Sequence, residues 1–104
     1  MPIPTWGGNS TFDYNGCIIT GTEIIFGNNN QHTITAEEWN MLRHQFIGRV
    51  VEIGTSRDNP PSGSMGEWFL QNIHKQALMS YVGVILIREY YAVKESDTQI
   101  RVVK

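Results

Sequence analysis

Between residues 11 and 34 the chain reads as short β-prone runs broken by turn residues. After residue 34 apolar positions recur every three or four residues, the spacing of one helical face. In "TFDYNGCIIT", Asn15-Gly16 stands between two β-prone runs, a strong short-range hairpin signal, and predicts a turn there. The runs Glu23–Phe26 and Gln31–Ile34 flank "GNNN". Its asparagines tolerate left-handed backbone, so a second reversal is expected. Residues 11–34 are thus predicted to form an antiparallel β-meander. Residues 1–10, "MPIPTWGGNS", carry two prolines and two glycines without periodicity and read as an irregular arm, in which Trp6 covers a local gap on the body.

Helix signals dominate from Thr35 onward. Thr35 and Glu38 have the spacing of a capping box, and Ile34 can staple onto Trp39. Trp39, Leu42 and Phe46 share one face, and Gly48 stands where such a helix ends. "RVVEIG", residues 49–54, predicts a strand with Val51 and Ile53 on one side. Ser64 and Glu67 repeat the capping spacing ahead of a short helix with Met65, Trp68, Phe69 and Ile73 on its apolar face. A third helix is predicted from about Lys75 to Ile87, its inner face lined by Leu78, Val82, Ile85 and Leu86. The strands Ala92–Lys94 and Gln99–Val103, joined by "ESDT", complete a hairpin.

Length and composition narrow the picture. A chain of 104 residues forms one domain, and its eleven aromatic residues suffice for a real core. The net charge of −2 argues against nucleic-acid binding by bulk charge. The balance is uneven: residues 1–63 sum to −3 and residues 64–104 to +1, so any phosphate-facing surface belongs to the second half. The single cysteine, Cys17, fits a reducing compartment. The N-terminus has neither the basic nor the apolar segment of a signal peptide, and the longest apolar run, Tyr81 to Ile87, is far short of the roughly 20 residues that span a bilayer. The expected location is the cytoplasm.

The order helix, strand, helix, turn, helix, hairpin over residues 35–104 resembles the winged helix-turn-helix family. "LMSYVGVILIREYYAVKE" follows that family's passage from third helix into wing. The resemblance implies an α+β fold: a three-helix core with a C-terminal hairpin, whose wing pairs with the strand between the first two helices. Residues 11–34 are then an N-terminal addition. It also implies that the third helix enters the major groove of duplex DNA. His74, Lys75, Gln76 and Ser80 would read the groove, and Lys94 and Arg101 would touch the backbone. The chain more distantly resembles the short orphan proteins encoded on mobile gene cassettes. Two features depart from the winged pattern. Tyr90 stands at the helix-to-wing junction, where the family often has glycine. The outward face of the third helix, at 100° per residue, holds Gln76, Ala77, Ser80, Val84, Ile87 and Arg88, and is only partly polar.

That outward face bears on assembly. Val84 and Ile87, flanked by Tyr81 and Tyr91, form an apolar strip that needs a cover. The meander is one candidate, and a two-fold homodimer through Tyr81, Val84 and Ile87 is the expected one. The segment "GTSRDNPPSGSMGEW" raises a separate choice. Arg57 and the cap at Ser64 suggest an anion site, but the P-loop spacing is missing, and a connection stiffened by Pro60 and Pro61 is favoured. Its length suits contact with a partner. His32, His44 and His74 are scattered without metal-ligand spacing, and Cys17 beside Ile18 and Ile19 reads as a small hydrophobe. No nucleophile–base or metal constellation stands out, so neither an enzyme nor a cofactor is expected. Two functions stay open: a DNA-bound accessory protein, and a protein-interaction module on the same fold.

Overall fold

The computed structural model describes residues 2–104. Its elements run β1 (Ile3–Pro4), β2 (Thr11–Cys17), β3 (Gly21–Phe26), β4 (Asn30–Ile34), α1 (Ala36–Phe46), β5 (Val50–Glu52), α2 (Met65–Asn72), α3 (Met79–Arg88), β6 (Ala92–Lys94) and β7 (Gln99–Val102). The fold is α+β. An N-terminal antiparallel meander has strand order β1-β2-β3-β4, and a C-terminal antiparallel sheet has order β5-β7-β6. Among the described residues no helix is long and apolar enough to cross a membrane.

The meander differs from its prediction in two places. It begins at Ile3 rather than Thr11, because Ile3 pairs with Phe12 and Pro4 with Thr11. Ile3–Pro4 thus form an edge strand within the expected irregular arm, and residues 5–10 run through turns and bends. The first turn also lies elsewhere. Asn15 and Gly16 sit inside β2, opposite Glu23 and Thr22, and the chain reverses over residues 18–20. Two gains move the turn, one local and one not: six cross-strand pairs form between β2 and β3, and Ile18 is buried while its N–H donates to the distant Glu89 Oε1 at 2.9 Å. The second reversal falls within "GNNN" as expected, with Asn29 left-handed at φ 66°.

Helix α1 follows its local signals. Thr35 Oγ1 accepts the Glu38 N–H and the Glu38 carboxylate accepts the Thr35 N–H, so the capping box is complete. Trp39, Leu42 and Phe46 are buried. Trp39 Nε1 donates to Thr22 Oγ1 at 3.0 Å and ties α1 to β3. The cap of α2 is only half a box: Ser64 Oγ accepts the Glu67 N–H, but the Glu67 carboxylate accepts from Gly63 instead. The Ser64 N–H is already committed to the Pro61 carbonyl. Helix α3 begins at Met79, not at Lys75. From His74 to Leu78 the chain is irregular, held by His74 to the Thr33 carbonyl and by Leu78 N–H to the Gln76 carbonyl. Leu78 caps α3 without a side-chain hydrogen bond.

In the second sheet β7 lies between β5 and β6. Val51 stands opposite Ile100, and Ala92 opposite Val102. Val51, Ile53, Ile100 and Val102 face inward. One contiguous core joins both sheets and all three helices. Tyr90 carries the chain from α3 to β6 at φ 66°, so a tyrosine adopts the left-handed turn that glycine fills more readily.

Candidate functional site

Helix α3 presents its outward face to the chain's own N-terminal segment. Trp6 is buried, and its N–H donates to the Ser80 carbonyl at 3.0 Å. Its ring lies over Gly83, where a Cβ would come within 3.0 Å of Trp6 Cε3 and 2.7 Å of Ile53 Cδ1, so only glycine admits the indole. Its Nε1 donates to the Asp97 carbonyl at 2.6 Å. Trp6 thus covers a gap on the body, as its sequence position suggested. Next to it, the Tyr81 ring packs on Phe12 and Phe26, with centroids 5.1 and 4.8 Å away. Val84 and Ile87 are partly buried against the same core. Of the strip, Tyr81 is covered by the chain's own Phe12 and Phe26, and Val84 and Ile87 keep part of their surface open.

The residues expected at DNA take up different local settings. His74 is half-buried, with Nε2 3.0 Å from the Thr33 carbonyl and its ring between Phe69 and His32. Lys75 and Gln76 are exposed, but in the irregular segment before α3. Ser80 and Lys94 meet at Trp6: one through its carbonyl, the other with Nζ 4.7 Å above the indole ring. Arg101 Nε lies 3.4 Å from Glu95 Oε1. Trp6 thus brings Ser80 and Lys94 together, while His74 is held against Thr33 and Arg101 against Glu95.

The loop after β5 acts as a connection. At the start of α2, the Gly66 N–H donates to the Ile53 carbonyl and the Glu67 N–H to Ser64 Oγ. Those are the amides that would hold an anion, and they are already used. Arg57 is exposed on the loop. Cys17 is half-buried at the end of β2; a hydrogen bond with Thr20 Oγ1, 3.2 Å away, lowers its thiol pKa. Among the described residues no cluster of three His, Cys, Asp or Glu could hold a metal ion.

An open groove of about 470 Å³ lies between α1 and α2, lined by Asn40, Met41, His44, Gln45 and Trp68. Met41 is 48% exposed at its rim. Trp68 forms its wall, half-buried, with its ring edge-on to Phe46 at 5.6 Å. A second hollow, of about 360 Å³, flanks the other side of α1 beside Arg43, Ile47 and Lys104. Sequence reasoning placed Trp68 on an inward face and passed over Met41. The available signal was an apolar residue on the polar side of the α1 wheel, opposite Trp39, Leu42 and Phe46. Comparison with family models, with curated proteins and with solved structures finds no match for this chain.

Proposed function

We propose that this chain is a non-catalytic protein-interaction module that receives its partner in the groove between α1 and α2. The observation that carries this reading is the contrast between two faces. The outward face of α3 is occupied by Trp6, Phe12 and Phe26, whereas the α1–α2 groove leaves Met41 and Trp68 accessible. Met and Trp are enriched where proteins bind proteins, because each offers a large, adaptable or aromatic apolar contact area. A negative net charge suits this reading better than a phosphate surface.

A DNA-bound accessory role is the second reading, favoured by topology. The order α1–β5–α2–α3–β6–β7, with β5 pairing to β7, has the pairing that a winged-helix core would need. Lys75, Gln76 and Lys94 are exposed. One pair of measurements separates the two. A photo-reactive benzophenone amino acid at position 41 should give protein adducts in cells, and the same group at exposed Val93 should not. Duplex DNA should show no salt-sensitive binding up to about 10⁻⁴ M, the weak end of ordinary non-specific affinity. Equal adducts at both positions sink the first reading; steeply salt-dependent duplex binding establishes the second.

A further inference from the structure

Resting on the protein-interaction reading, we infer that the occupant of the groove is a second copy of this chain, with the two α1 helices packed antiparallel about a two-fold axis. The argument starts from the outer wheel of α1. With Trp39, Leu42 and Phe46 inward, the outward stripe at 100° per residue is Glu37, Asn40, Met41 and His44. Glu37, Asn40, Met41 and His44 are all exposed. Glu37 and His44 make no hydrogen bond or ion pair among the described residues, while the neighbouring cations are engaged. Arg43 donates to the Lys104 carbonyl and lies over the Tyr91 ring, and Arg49 donates to the Gln45 carbonyl.

This stripe complements itself. Reversed about its midpoint, it sets Glu37 against His44 of the second copy and Asn40 against its Met41, and the same contacts recur at the other end. A copy laid parallel would instead set Glu on Glu and His on His. Within one chain the two groups stand seven residues apart, about 10 Å along the axis, too far to pair directly. The relief of the surface agrees with this match of imidazole donor to carboxylate acceptor. The stripe is a ridge with the Trp68 groove on one side and the Ile47 hollow on the other, so the ridge of each copy can enter the groove of its mate. A two-fold contact of this kind closes on itself. This interface differs from one through Tyr81, Val84 and Ile87, where the Tyr81 ring already packs on Phe12 and Phe26 of the meander.

The experiment is sedimentation velocity over a concentration series on the full chain. The wild type should approach twice 11.8 kDa. Met41→Asp, at an exposed position, should run as a single chain with an unchanged far-ultraviolet circular dichroism spectrum. His44→Glu alone should weaken association by about tenfold, since it sets a carboxylate against Glu37 at both ends of the interface, and Glu37→Lys alone should weaken it less, by removing the acceptor that faces His44. The double variant should recover to near the wild-type value, which only contact between copies can produce. A wild-type monomer at the highest concentration overturns the inference, and so does a dimer that the double variant fails to restore. Neither result touches the broader reading if the photo-reactive group at position 41 captures a different protein. That reading fails separately, when position 41 captures nothing.

Discussion

At the residue scale, Glu89 joins segments that are far apart in the sequence. From the C-terminal cap of α3 its Oε1 accepts the Ile18 N–H and its Oε2 accepts the Tyr14 hydroxyl, both at 2.9 Å. Glu89→Ala removes both acceptors and leaves the amide of a buried residue without a partner. It should lower stability by about 2–3 kcal/mol, read as the shift in urea midpoint at constant slope. The same pair sets a pH response. Burial, with the Glu89 carboxylate as acceptor, holds the Tyr14 phenol above its ordinary pKa, and burial alone does the same to Tyr81. A phenol raised on folding contributes fully below its unfolded value of about 10. That contribution is lost as pH rises through the folded value. The urea midpoint should therefore fall through this alkaline range, and fall less steeply in Tyr14→Phe. Equal slopes in the two proteins would show that Tyr14 does not carry the effect.

At the element scale, what could be read in the sequence divides by range. Helix α1 was legible because its cap, its inner stripe and its end lie within about a dozen residues. The order of elements from Thr35 to Val102 was legible for the same reason. The Asn15-Gly16 turn was misplaced because a burial site for Ile18 and the carboxylate of Glu89 lie about 70 residues away. The start of α3 was misplaced because contacts outside the helix hold His74 and Leu78. Of the candidate groove, only Met41 left a trace, as an apolar residue on a polar face. Helix α2 carries a test of such non-local control. Glycine inside a helix normally costs about 0.5–1 kcal/mol relative to alanine. Gly66, in the first turn of α2, packs against Gly54, and a Cβ there would run into the Gly54 carbonyl oxygen and backbone. The backbone cannot give way as a flexible side chain can. Gly66→Ala should therefore destabilise by about 2 kcal/mol or more instead of stabilising. A raised melting temperature in this variant would show that α2 can slide away from the end of β5.

At the scale of the whole molecule, Trp6 fastens the two halves together. It leaves β1, bonds to α3 through Ser80, donates to Asp97 between β6 and β7, and lies beneath Lys94. Both sheets and the covered helix therefore meet at one indole. Trp6→Ala removes that ring, opens space above Gly83 and leaves the Asp97 carbonyl without its indole donor. A buried tryptophan truncated to alanine costs about 3–5 kcal/mol, a large share of the stability of a domain this size. The urea midpoint should fall accordingly. The surface uncovered around Gly83 and Ile53 is apolar, so concentrated solutions of the variant should aggregate. The variant also probes why α3 is covered. If Trp6 only completes the core, Trp6→Ala gains no affinity for duplex DNA at any salt concentration. If the N-terminal strand instead shields a DNA-reading helix, the variant acquires binding that weakens steeply with salt, at temperatures where it remains folded. Fluorescence anisotropy of a labelled duplex decides between them. The half-buried, aromatic-packed state of Tyr81 and the apolar character of Val84 and Ile87 favour the first outcome, because a face built to read bases needs donors and acceptors where these residues stand.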